Sequence, residues 1–105
     1  MKRSFITVLI FLACLFRGFC QEYKYKVFES SEGEKLNYRL LTPENAKQSK
    51  KYPLVLFLHG AGERGEDNEK QLIHGSQMFL NPTVREKHPA FVLFPQCPSN
   101  QYWAF

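Results

Sequence analysis

The sequence predicts an α/β chain: an antiparallel hairpin, then parallel strands joined by a helical crossover. Three observations carry this. Residues 22–29 and 34–42 alternate apolar with polar side chains, and Ser30-Ser31-Glu32-Gly33 lies between them, the pattern of strand, turn and strand. Two short continuous apolar runs follow, Pro53 to Leu58 and Ala90 to Phe94, the pattern of strands buried on both faces of a parallel sheet. About 30 residues separate these runs, enough for the crossover that a parallel pair requires.

The first 20 residues stand apart from that pattern. Lys2 and Arg3 give a positive start, and Phe5 to Phe16 is an uncharged, mostly apolar run of 12 residues. A bilayer span needs ~20 residues, so the run fits the apolar region of a secretory signal better. Gly18-Phe19-Cys20 supplies a small-x-small cleavage site and leaves Gln21 first. The expected organisation is a signal peptide over 1–20 and one partial domain over 21–105, in a secreted or periplasmic protein. A membrane anchor or buried helix is the plainer alternative for the leader. A lipoprotein acylated at Cys14 is another, because Phe11-Leu12-Ala13-Cys14 loosely resembles a lipobox.

Charge excludes some partners. The full chain has a formal charge of +4, but the leader holds Lys2, Arg3 and Arg17 and no acid, so 11 basic residues face 10 acidic ones beyond it. Nothing then argues for nucleic acid, or for a membrane beyond the signal peptide. Cleavage after Cys20 leaves Cys97 alone, so no disulfide can close within the chain although export implies an oxidising compartment.

In the hairpin, Tyr23, Tyr25 and Val27 share one face, opposed to Lys24, Lys26 and Phe28. In its second strand Leu36, Tyr38 and Leu40 oppose Asn37, Arg39 and Leu41. Thr42-Pro43 ends that strand, since proline cannot donate to a ladder. Residues 44–52 are polar and Lys-rich and read as a surface loop. Between the apolar runs, Asn68 and Gln71 have the spacing of a capped helix start, and Gly75 can end that helix in a left-handed conformation. Asn81-Pro82 opens a second short helix, with proline at its first position.

The chemistry centres on the end of the first apolar run. Gly60, Ala61 and Gly62 follow its carboxyl end, the edge where ligands bind in open α/β sheets. Small residues there let the backbone approach a ligand closely. Backbone N–H groups so placed can stabilise the oxyanion of acyl transfer, and losing one such donor raises a barrier by ~2.7–4 kcal/mol.

The stretch YPLVLFLHGAGERGEDNEKQLIHG, followed by PAFVLFPQCPSNQYW, resembles the secreted bacterial esterases and predicted peptidases of the α/β-hydrolase superfamily, relatives of dienelactone hydrolases, polyhydroxybutyrate depolymerases and feruloyl esterases. The resemblance covers residues 22–105. It implies the N-terminal part of an α/β-hydrolase fold, with the hairpin as its first two strands, Pro53–Leu58 the third and Ala90–Phe94 the fourth. It also implies that Ala61 N–H, with Gly62, donates to the oxyanion, and that His59 ties down the loop rather than acting as a base. Gly60, Glu63 and Arg64 join His59 as loop-structuring residues. The run Glu63 to Asp67 is either a solvated charge cluster or, because it adjoins this loop, the source of an Arg64 salt bridge that orders it or a polar wall for substrate. Trp103 is either a core aromatic or part of a substrate cleft.

The G-x-S-x-G nucleophile elbow of such enzymes is absent. None of the six serines sits in that pattern; Ser76 in His74-Gly75-Ser76-Gln77-Met78 comes nearest, without the second glycine. The sole aspartate, Asp67, suits helix capping or solvation better than triad duty. His74 and His88 read as surface or helix-end residues. The three histidines lack metal-ligand spacing, so neither a metal nor another cofactor is expected. Cys97 is either a small buried residue or half of a disulfide with a partner past residue 105.

The expected function is that of the N-terminal part of an exported serine hydrolase. Its substrate is a small-molecule or polymeric carboxylic ester, less favourably a peptide, and this chain alone is inactive. The rival is a non-catalytic exported module that binds carbohydrate or peptide and folds as a stable monomer.

Overall fold

The computed structural model describes residues 22–104. The leader expected over residues 1–20 and the acylation site at Cys14 lie outside the described residues. Four strands, β1 (Lys24–Glu29), β2 (Lys35–Leu41), β3 (Leu54–Leu56) and β4 (Phe91–Pro95), form one sheet in the order β1-β2-β4-β3. β1 and β4 each run antiparallel to β2, whereas β3 and β4 are parallel. The connection from β3 to β4 carries two 3-10 turns, Ala61–Glu63 and Lys70–Leu72, and two short helices, α1 (Ser76–Leu80) and α2 (Pro82–Lys87). The mixed sheet fits a partial α/β fold.

The hairpin follows from its turn chemistry. Ser30 N–H donates to Glu34 O at 2.8 Å, and the Ser30 hydroxyl oxygen accepts from the N–H groups of Glu32 and Glu34. Gly33 takes the left-handed φ of 84° that this turn demands. The register sets Tyr25 beside Arg39, Arg39 beside Phe94, Leu41 beside Val92, and Val92 beside Val55. Those rows share the face covered by the helices.

Phe94 is fully buried at the centre of that face. Its ring stacks on Phe57 at 4.7 Å between centroids and meets Tyr23 and Phe79 edge-on. Burying one such side chain contributes ~1.5–3 kcal/mol. Arg39 is also buried here, and among the described residues its Nε and Nη1 have no hydrogen-bond partner. Its guanidinium lies 3.5 Å from the Tyr25 ring centroid, so a cation–π contact offsets part of the cost of desolvating the charge. Burial also pushes the Tyr23 phenol up, and its hydroxyl donates to Ser76 O at 2.8 Å.

Two expectations need correction. The apolar run Pro53–Leu58 is not buried on both faces. Only Leu54–Leu56 is strand, and Leu54, Leu56 and Leu58 are 63%, 56% and 50% exposed. β3 lies at the sheet edge and the helices cover one face only, so alternate side chains stay open to solvent. The helix expected from Asn68 to Gly75 is instead a 3-10 turn, Lys70–Leu72, capped by Asp67, whose Oδ1 accepts from Glu69 and Lys70 N–H. Asn68 takes φ 54° and turns its amide to the hairpin, donating to Lys26 O and Tyr38 O. Those tertiary acceptors outcompete the local cap.

Gly75 is left-handed as expected, with φ 82°, but it introduces α1, which the sequence pattern did not reveal. A Cβ at Gly75 would lie 2.6 Å from the Phe57 ring, so the close approach demands glycine as well. α2 begins as its sequence indicates: Asn81 Oδ1 accepts from Thr83 and Val84 N–H, and Pro82 takes the first position.

Candidate active-site loop

The loop after β3 lies at the carboxyl end of the parallel pair, on the same side of the sheet as the segment that leaves β4. His59 is buried at its root. Cys97 N–H donates to His59 Nε2 at 2.9 Å. That nitrogen is therefore an acceptor, so Nδ1 carries the proton and donates to Gly60 O at 2.6 Å. Trp103 Nε1–H donates to His59 O at 3.0 Å, and the two rings lie 5.0 Å apart. Trp103 thus rests on the loop's root at 38% exposure, neither sealed in the core nor free of it.

Gly60 is extended, with φ −80° and ψ 179°, and Ala61–Glu63 then closes one 3-10 turn through a Glu63 N–H to Gly60 O bond of 3.3 Å. The first N–H groups of such a turn have no partner within it. Ala61 and Gly62 are exposed, and among the described residues neither N–H meets an acceptor. Gly60 also permits the Glu63 carboxylate to fold back, since a Cβ there would lie 3.2 Å from Glu63 Oε2.

Arg64 orders the loop, but not through the expected salt bridge. Among the described residues it has no carboxylate partner. Its Nε–H donates to Ala61 O at 3.0 Å and Nη1–H to Gln101 O at 3.2 Å, and its guanidinium lies over the Tyr102 ring at 4.5 Å. Two backbone carbonyl oxygens, one in the turn and one in the segment after β4, take the place of an acid. Glu63 faces His74 instead, with 3.4 Å between Oε1 and Nε2.

Gln96 is the residue that sequence reasoning missed. It is 1% exposed and spends its whole amide on the loop's far arm. Oε1 accepts from Asn68 N–H at 2.6 Å, and Nε2 donates to Glu63 O at 3.2 Å and to Asp67 Oδ1 at 2.7 Å. Gly65 N–H adds a bond to Cys97 O at 3.0 Å. The available signal was a polar residue directly after an apolar strand, in Pro95-Gln96-Cys97-Pro98, where a buried amide must find partners.

Two carboxylates feel this bracing. The Gln96 amide, together with the Glu69 and Lys70 N–H groups, holds the Asp67 carboxyl below its usual range against a smaller desolvation effect. The backbone N–H and hydroxyl of Ser99 do the same for Glu66. Glu66 and Asp67 are thus held by hydrogen bonds although both side chains are exposed.

A solved structure has the same arrangement of backbone. The chain matches the crystal structure of a thermostable esterase with a TM-score of 0.73 and 43% sequence identity, over 79% of this chain and 23% of that one. The fold is esterase-like. The chain spans less than a quarter of that esterase's length. It matches no protein-family model and no curated protein.

In this esterase-like fold the remaining candidates stand apart from the loop or serve it structurally. Ser76 is buried at the start of α1, with its hydroxyl donating to Leu72 O. Asp67 caps a turn. His74 is exposed beside Glu63, and His88 is exposed at the end of α2. Cys97 is a free, buried thiol whose backbone, not its sulfur, holds the loop. Among the described residues no group of three His, Cys, Asp or Glu side chains could hold a metal ion.

Proposed function

We propose that the chain is the N-terminal part of an exported serine hydrolase that cleaves carboxylic esters through an acyl-enzyme. In this reading Ala61 N–H, with Gly62 N–H, forms half of the oxyanion hole. The single observation that carries it is the braced turn Ala61–Glu63 in the loop after β3, where Ala61 and Gly62 are exposed and, among the described residues, neither N–H meets an acceptor. The 43% identity to a thermostable esterase supports the same reaction class.

The physical logic is preorganisation. An N–H already fixed toward the site of developing negative charge needs no reorganisation in the transition state. His59 and Arg64 tie the loop to the segment 96–103, and Gln96 of that segment donates to Glu63 O, so the loop is fixed before any substrate arrives. Serine nucleophile, acid and base come from residues other than these, because no serine of this chain occupies an elbow. The chain by itself is therefore inactive on esters. The leader with its Lys2, Arg3 and apolar run supports export.

The test is a chimera of the thermostable esterase in which residues 22–104 replace the matching region. The chimera hydrolyses a p-nitrophenyl ester. Ala61→Pro then removes one N–H at a position where proline is tolerated, because Gly60 is already extended as a residue before proline must be. That variant loses ~100- to 1,000-fold in kcat with KM little changed. Unchanged kcat would overturn the role of Ala61. Ester turnover by the isolated chain that survives replacement of every serine would overturn the mechanism.

A further inference from the structure

β3 and β4 begin side by side. They are parallel, with Leu54 opposite Phe91, so the segments leading into them, residues 50–53 and 87–90, meet at one end of the sheet. That end is opposite to the loop after β3. Both segments are basic: Lys50 and Lys51 precede the first strand, and Lys87 and His88 precede the second. The topology therefore gathers charges that are far apart in the chain.

A groove of about 450 Å³ opens from this end between the sheet and the helices. Its floor is the cross-strand row Leu41, Val92 and Val55, and Phe79 and Val84 form its wall. Lys50, Lys51, Arg85, Lys87 and His88 also line it, and among the described residues no Asp or Glu does. Arg85 is already committed to Glu22, Glu44 and Thr42 O. Glu86 opens to a neighbouring recess and not to the groove. Lys50, Lys51 and Lys87 have no carboxylate partner among the described residues. Lys50 lies over the Tyr52 ring at the mouth, 5.5 Å from its centroid. Like charges gathered without an acid repel one another, and a bound anion relieves that repulsion.

The groove is thus apolar along its floor and positive at its mouth. An inorganic anion would leave the floor bare, and a hydrocarbon would leave the lysines unpaired. We propose that the groove binds a medium-chain fatty-acid carboxylate, its head among Lys50, Lys51 and Lys87 and its chain across Val92 toward Phe79. Two strand spacings make the floor ~10 Å wide, the reach of about eight carbons joined by ~1.5 Å bonds. Small-molecule pockets hold ~300–1,000 Å³, so this groove takes one short chain and is too small and concave for a bilayer surface. Pro53 and His59 stand ~20 Å apart along an extended run. The groove is therefore separate from the loop, and its ligand does not depend on the hydrolase reading.

The experiment titrates the full chain, labelled with 15N, with octanoate and follows its amide resonances. Saturable shifts are expected at Val55, Val84 and Val92, with Ala61 and Gly62 unmoved. Hexanoate binds ~10-fold more weakly, because each buried CH2 is worth about fourfold in affinity and two are lost. The neutral 1-octanol keeps the chain, lacks the charge, and also binds ~10-fold more weakly. Lys51→Glu with Lys87→Glu alters only exposed side chains. That double variant loses ~10-fold or more in octanoate affinity and binds 1-octanol as the parent does. The proposal is overturned by any of these results: no saturable shift below the concentration at which octanoate forms micelles; shifts centred on Ala61 and Gly62; 1-octanol binding as tightly as octanoate; or undiminished octanoate binding by the double variant. Shifts caused by phosphatidylglycerol vesicles but not by octanoate would overturn it as well, in favour of a membrane surface.

Discussion

His59 is held at both ring nitrogens, which decides what it can do. An N–H donor occupies Nε2, and the proton on Nδ1 is given to Gly60 O. A ring committed in this way braces the backbone and has no lone pair free for a substrate. Replacing it by phenylalanine keeps the ring but leaves the Cys97 N–H buried and unpaired. His59→Phe is expected to cost ~1–3 kcal/mol, seen as a lower urea midpoint at unchanged slope. Asp67 makes a second residue-scale prediction. Its folded carboxyl is held below the ordinary value of 3.8, chiefly by the Gln96 amide. Folding therefore favours the ionised form. The stability it adds is complete above that ordinary value and is lost as pH falls through the lower, folded one. Asp67→Asn keeps an acceptor oxygen and loses the charge. The variant should be less stable than the parent at pH 7, and the two unfolding curves should converge as the pH falls below the ordinary carboxyl value of 3.8. A gap that persists in acid would mean that the carboxylate's charge is irrelevant to the fold.

At the scale of elements, the crossover between β3 and β4 is built from pieces too short to stand alone. α1 has five residues and α2 has six, whereas isolated helices below ~12–15 residues are marginal in water. Caps and tertiary contacts carry them. Asn81 accepts two N–H groups at the start of α2, and Arg85 anchors the same helix through Glu22, Glu44 and Thr42 O. Asn81→Ala should destabilise the chain by ~1 kcal/mol. Thermal unfolding followed by circular dichroism will reveal it as a shift of several degrees; no shift would mean that the Arg85 contacts suffice. The same shortness explains which elements were legible beforehand. Asn81-Pro82 is a local signal and marked α2 correctly. The spacing of Asn68 and Gln71 is equally local, yet it misled, because Asn68 bonds across to Lys26 O and Tyr38 O. Such partners lie 42 and 30 residues away, beyond the reach of any window.

For the molecule as a whole, one sheet face is packed and the other is not. The packed face concentrates its apolar contacts on Phe94, which touches Tyr23, Phe57 and Phe79. Phe94→Ala removes the only fully buried aromatic ring among the described residues and should cost ~3–5 kcal/mol. That approaches the whole stability of a small domain, ~5–15 kcal/mol. Loss of a cooperative melting transition is the expected readout. The open face leaves Leu54, Leu56 and Leu58 exposed.

What the amino-acid sequence determined by itself is the set of local facts: the alternating hairpin, the two apolar runs, the left-handed Gly75, the cap of α2 and the small-residue loop after β3. Each depends on side chains within a few residues of one another. The resemblance of HGAGERG and PQCP to esterases pointed to the fold that the structural match supports in outline. Tertiary structure decided the rest. Only the register shows that Asn37, Arg39 and Leu41, rather than Leu36, Tyr38 and Leu40, face the helices. It also shows that the apolar run of β3 is half bare, and that Gln96 and the Cys97 backbone hold a loop more than 30 residues upstream. Hydrophobicity tells a strand that it must be covered, but not by what. A buried amide must be satisfied, but its partners are chosen by the chain's path through space, and that path is a property of the assembled sheet.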